Sequence, residues 1–71
     1  MNLIKKLRIN AEKTQAELAA ACGVSQGTVA LWEHGKAFPR SGKIGAVAAA
    51  LGCDPGDLLR EAENRNEKET G

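Results

Sequence analysis

The run from Thr14 to Gly35, T-Q-A-E-L-A-A-A-C-G-V-S-Q-G-T-V-A-L-W-E-H-G, constrains this chain more than any other segment. It spells two short helices joined by a tight glycine turn, each with its own start signal. Thr14 followed three residues later by Glu17 forms a capping box, in which each side chain satisfies a backbone amide that the helix leaves unpaired. The first of the pair therefore starts at Gln15. It stops at Gly23, since glycine takes the left-handed conformation that closes a helix without penalty, and Val24 can then turn back onto the core. Ser25 caps the next helix and Gly35 closes it, giving a second unit of about 26–34.

Two capped helices around such a turn make a helix-turn-helix, whose second helix has the dimensions of the DNA major groove. The segment also resembles the phage-repressor-like helix-turn-helix family, the Xre or Cro/C1 type. The resemblance is carried by Leu7-Arg8, Thr14-Gln15-Ala16-Glu17-Leu18-Ala19, Gly23-Val24-Ser25, Trp32-Glu33, Gly35-Lys36, Pro39, Leu51-Gly52 and Leu58-Leu59, in order along roughly the first sixty residues. It implies a compact five-helix, lambda-repressor-like DNA-binding domain, all-α, with the helix-turn-helix at the second and third helices.

The composition agrees with a small helical module. A chain of 71 residues has room for one core and no separate catalytic cavity. No segment alternates apolar with polar residues as a half-buried strand would, and aromatics are limited to Trp32 and Phe38. There is no apolar run near the roughly 20 residues of a membrane span, and Met-Asn-Leu-Ile-Lys-Lys lacks the apolar stretch of a signal peptide. A cytoplasmic protein is expected, in a bacterial or phage-infected cell. Cys22 and Cys53 fall where the helical pattern calls for small apolar residues and lack ligand partners at zinc spacing, so both read as reduced core side chains. Neither a metal nor another cofactor is expected. No acid, base and nucleophile cluster together, which argues against an enzyme.

The net charge of +1 conceals a division. Residues 1–43 carry seven basic and three acidic side chains, a balance of +4, whereas residues 44–71 carry three basic and six acidic ones, a balance of −3. The positive field thus lies on the half that holds the helix pair.

Around that pair the sequence predicts a first helix from Asn2 to about Asn10 with Leu3, Ile4 and Leu7 buried, and a connection over 11–13. Ser41 is read as the cap of a fourth helix that turns Ile44, Val47, Ala48 and Leu51 inward. Its Gly42 and Gly45 each cost about 1 kcal/mol relative to alanine unless a neighbouring backbone packs against them. Asp54-Pro55 starts a fifth helix whose Leu58 and Leu59 close the core. The domain is expected to span 1–63, followed by a flexible polar tail over 64–71.

On a helical wheel for 26–34, Val29 and Trp32 mark the buried side, which also carries Thr28 and Glu33. Gly27, Ala30, Leu31 and His34 face outward, with Gln26 at the edge. Trp32 is accordingly read as core rather than as a base-stacking residue. A lone inward Glu33 needs a partner, and the resemblance nominates Arg8, since similar proteins pair a first-helix arginine with this glutamate. The expected base contacts are Gln26, Gly27, Ala30 and Leu31: Gln26 can pair bidentately with adenine, and Ala30 and Leu31 offer apolar contact to thymine methyls. This face is poorer in hydrogen-bonding groups than the family's usual Gln, Arg, Asn and Ser, which predicts modest specificity leaning to A·T steps. The expected phosphate contacts are Gln15, which resembles the family's phosphate-binding glutamine, with Ser25, Thr28, His34, Lys36, Arg40 and Lys43.

The function implied is a sequence-specific transcriptional regulator, such as a phage Cro-type or small repressor, binding double-stranded operator DNA as a homodimer without a small-molecule ligand. The dimer would use the loop around Phe38 to Arg40, the turn at Cys53 to Pro55, or the fifth helix. The alternative is a protein-interaction module of the same fold, an antitoxin or antirepressor, which the apolar outward face of the second unit keeps open.

Overall fold

The computed structural model describes residues 2–60, and among them the chain forms five helical segments and no strand. These are α1 (Leu3–Asn10), α2 (Gln15–Cys22), α3 (Gln26–Glu33), α4 (Ser41–Leu51) and α5, helical from residue 55 to the last described residue, 60. The all-α expectation holds. The expected domain edge at 63 and the tail 64–71 lie outside the described residues.

Local chemistry accounts for the boundaries. At the start of α2, Thr14 Oγ1 accepts from the Glu17 amide at 3.0 Å while Glu17 Oε1 accepts from the Thr14 amide at 2.8 Å, so the capping box is complete. The amide bond from Thr14, then its hydroxyl, hold the Glu17 carboxyl below its ordinary value. Gly23 ends α2 at φ +69°, with the Val24 amide bonded back to Ala19 O. A similar closure ends α1, where the Lys13 amide reaches Arg8 O at 3.1 Å, yet there the left-handed position is held by Glu12 at φ +58°. A side chain at that φ carries strain of about 1 kcal/mol or more.

Four boundary expectations need correction. Asn2 is the cap of α1 rather than its first residue, because its Oδ1 accepts from the Lys5 amide at 3.0 Å. The last residue of α3 is Glu33 rather than His34, which takes the cap position, while Gly35 makes the expected left-handed closure at φ +73°. Ser41 is the first residue of α4; Arg40 occupies the cap position and makes no side-chain bond there. Leu59 does not close the core: Leu58 is fully buried, and Leu59, about 100° further around the helix, is 50% exposed. Asp54 does start α5, its Oδ1 accepting from the Gly56 amide at 2.8 Å.

The core gathers Ile4, Leu18, Ala19, Cys22, Val29 and Trp32 with Ile44, Val47, Ala48 and Leu51 of α4 and Leu58 of α5. Leu3, Leu7, Phe38 and Cys53 pack partly against it. Helix α2 packs on both α3 and α4, and α1 covers the same two. Both cysteines are free, and burial raises each thiol's pKa, with Asp57 and Asp54 adding to the effect at Cys53. Among the described residues no group of His, Cys, Asp or Glu could hold a metal ion. No described helix is long and apolar enough to cross a membrane.

Candidate nucleic-acid interface

Two anchors fix the orientation of α3. Val29 and Trp32 are buried at 0% and 4% exposure, which turns the opposite side of the helix outward. Its ends are tied separately: Ser25 Oγ accepts from the Thr28 backbone amide at 3.2 Å, and the Asn2 side-chain Nδ2 donates to Trp32 O at 2.5 Å. The sequence offered no sign of this last bond, which links the first residues to the end of α3.

Among the described residues Glu33 is the buried acid, and Arg8 is its partner. Arg8 Nε donates to Oε2 at 2.5 Å and Nη2 to Oε1 at 3.2 Å, with the two side chains 14% and 3% exposed. A third donor, Nη1, bonds Lys13 O at 2.7 Å and so fastens the α1–α2 connection to the same guanidinium. Burial alone would raise the Glu33 pKa, but the hydrogen bonds from Arg8 and Gln15 and the charges of Arg8 and Lys5 outweigh it and leave the carboxyl below its ordinary value. Arg8 is pushed up, mainly by its bond to Glu33.

Gln15 carries this network to the surface. Its Nε2 donates to Glu33 Oε1 at 3.0 Å, and its Oε1 accepts from Gln26 Nε2 at 3.4 Å. The first residues of α2 and α3 therefore meet on one side of the domain. The capping box consumes the Thr14 and Glu17 amides, leaving those of Gln15 and Ala16 at the helix start to face an external acceptor.

The other candidate residues distribute around this point. Gln26, Gly27 and Leu31 are exposed, Leu31 at 45%, and Ala30 is half-buried. A Cβ built on Gly27 would meet only Ser25 Oγ at 3.8 Å, so packing within the domain does not require glycine there. Ser25 is exposed and bonds Thr28 Oγ1 at 3.0 Å, while Thr28 is half-buried. His34, Lys36 and Arg40 are exposed along the end of α3 and the loop after it. Lys43 differs: its Nζ donates to Cys22 O at 2.9 Å, an unpaired carbonyl at the end of α2, at the opposite end of that helix from Gln15. Thr28, Trp32, Phe38, Arg40 and Lys43 help line a groove of about 340 Å³ between α3 and the 36–40 loop.

The arrangement presents one helix with its apolar stripe buried and its far side open, beside a second helix whose start shares a hydrogen bond with it. That is the geometry of a helix-turn-helix. A helix-turn-helix family profile matches residues 4–58. Two crystal structures of the clp gene regulator ClgR from Corynebacterium glutamicum are similar to this chain. One has a TM-score of 0.74 at 30% identity, covering 94% of this chain and 71% of that one. The other has a TM-score of 0.71 at 32% identity, covering 87% and 80%. No curated protein matches in sequence. With the profile spanning most of the chain and the fold shared at this level of identity, the chain belongs to the Cro/C1-type helix-turn-helix family.

Proposed function

We propose that this chain is a sequence-specific DNA-binding transcriptional regulator that binds a palindromic operator as a homodimer, with α3 in the major groove. The observation that carries the reading is the division of α3: Val29 and Trp32 are buried while Gln26, Gly27 and Leu31 are exposed, next to the start of α2. Membership in the helix-turn-helix family and likeness to a clp gene regulator support the same reading.

In this reading Gln26 reads a base edge, Gly27 lets the backbone approach the groove, and Ala30 and Leu31 contact thymine methyls. Gln15, Ser25, Thr28, His34, Lys36 and Arg40 hold phosphates on either side. Lys43 joins them only by leaving Cys22 O, so it ranks below Lys36 and Arg40 as a phosphate ligand. Two subunits place their α3 helices in successive major grooves about 34 Å apart. Leu59, exposed at 50% on α5, supports that helix over the other two candidate dimer surfaces. A small repressor of the phage Cro kind fits this description.

The exposed Leu31, with Gly27 and Ala30 beside it, favours a second reading, a protein-binding module of the antitoxin or antirepressor type. Selection of bound duplexes from a random DNA pool, followed by titration against salt, separates the two. A two-fold symmetric consensus with a steep salt slope is expected. No enrichment at low salt and high protein concentration would shift the assignment to the protein-binding module.

A further inference from the structure

The hydrogen bonds that run from α1 to the exposed edge of α3 have a direction that follows from the chemistry of their ends. A guanidinium only donates, and all three bonds from Arg8 end on oxygens. A carboxylate only accepts, so the end of Gln15 that lies 3.0 Å from Glu33 must be its NH₂. The Gln15 carbonyl is then the end left for Gln26, which must in turn offer its own NH₂ across 3.4 Å. Either amide taken alone could turn about its broad, roughly two-fold terminal torsion at little cost. Tied to a charged pair of fixed polarity, neither can do so without setting two acceptors or two donors against each other.

We infer that Arg8 and Glu33 are positioning residues that set the hydrogen-bond polarity of Gln26 and thereby its choice of base. Once one Gln26 N–H is engaged by Gln15, what remains for a groove is the carbonyl oxygen and one N–H. Adenine presents the complement, a donor at N6 beside an acceptor at N7. Guanine presents two acceptors, O6 and N7, and its O6 would face the Gln26 carbonyl. The reversed amide would offer both N–H groups outward and suit guanine. A buried ion pair that touches no base thus discriminates between purines through two neutral amides. This inference rests on the proposed reading of Gln26 as a base contact.

Its test uses the duplex selected by the unaltered chain from a random pool. Selection with Gln26→Ala locates the base pair whose preference depends on Gln26. Dissociation constants are then measured for the A and G versions of that pair with the unaltered chain, Gln15→Met and Glu33→Gln. The ratio of the two constants is unaffected by any loss of folded protein, because that loss weakens both equally. The expected ratio is on the order of tenfold in favour of adenine for the unaltered chain, falling by about threefold or more in both variants as the amide is freed to turn. Gln15→Met keeps the Arg8 and Glu33 pair and tests only the last link, so Arg8→Met combined with Glu33→Leu, which removes the acceptor of Gln15 without stranding a charge, is measured as well; a ratio unchanged in that double variant would overturn the role of the ion pair. A ratio unchanged in Gln15→Met, with Gln26→Ala abolishing the preference, would overturn the relay and leave the operator-binding reading intact. If Gln26→Ala shifts no preference, Gln26 reads no base and the relay falls with it. If no duplex is selected at all, the operator-binding reading fails first.

Discussion

Glu33→Ala should be among the most damaging single substitutions in this domain, and its cost can be worked from the contacts it removes. The carboxylate accepts three hydrogen bonds, two from Arg8 and one from Gln15, with its side chain 3% exposed. Removing one member of a buried ion pair costs roughly 3–5 kcal/mol, mostly because the other charge is stranded. Arg8 keeps its bond to Lys13 O and is 14% exposed, which places the loss near the lower end, about 3 kcal/mol. The whole domain, at 0.05–0.15 kcal/mol per residue, has roughly 4–10 kcal/mol in hand. The melting temperature should drop by roughly 12–24 °C. Arg8→Met combined with Glu33→Leu strands no charge and should cost much less than the single change, about 1 kcal/mol.

Trp32 is the only tryptophan and is 4% exposed, so its fluorescence reports unfolding in urea without a label. Because the Glu33 pKa is lowered on folding, its contribution is present above the ordinary carboxylate value of 4.5 and is lost as pH falls through the lowered folded value. Glu33→Ala should therefore show a shallower loss of stability on that acid branch than the unaltered chain. If the substitution costs less than about 1 kcal/mol, or if the double variant is worse than Glu33→Ala, the charge-stranding argument is wrong.

Trp32→Ala empties the largest buried side chain of α3 and should cost roughly 3–5 kcal/mol, read as lost helical circular dichroism at 222 nm during melting; a folded variant that only loses DNA binding would refute its core role. Gly42→Ala and Gly45→Ala should each stabilise α4 by about 0.5–1 kcal/mol in urea titrations, since an added Cβ at either site meets nothing within 4 Å. Lys36→Ala should weaken binding to all duplexes alike and flatten the salt dependence by about 1 unit per subunit, whereas sequence-selective weakening would show that Lys36 does more than bind phosphate.

What was legible in the sequence was whatever is encoded locally. The Thr14 and Glu17 box, the Ser25 cap and the closing glycines at 23 and 35 act within five residues of themselves, and each lies where its chemistry put it. The failures occur where local cues are silent or shared. Glu12 takes a left-handed backbone without being glycine, so nothing in its identity marks the end of α1. Arg40 and Ser41 compete for one cap, and the residue with the better capping side chain is not the one that occupies the position. Leu58 and Leu59 differ only in rotation about α5, which tertiary packing decides. Lys43 was read by its charge alone, yet a flexible cation beside a helix end finds the unpaired carbonyls first. Gln15 was read only as a phosphate contact; its bond to Glu33 joins side chains 18 positions apart, and only the search for every donor to a buried carboxylate would have suggested it.

These constraints divide the exposed side of α3 unequally. Gly27, Ala30 and Leu31 lie outside the core cluster, and the nearest atom to a new Cβ at Gly27 is 3.8 Å away, so substitutions there leave the packing of Val29 and Trp32 untouched. Gln26 is different, because its amide ends a hydrogen-bonded path anchored on a buried charge. A change of operator can therefore be reached through positions 27, 30 and 31 with stability nearly unchanged, whereas a change at 26 also leaves the Gln15 carbonyl without its donor. If Gln26 reads a base as proposed, new readout should accumulate at the former positions first, with the contact at 26 kept as a fixed point about which the rest of the recognised sequence varies.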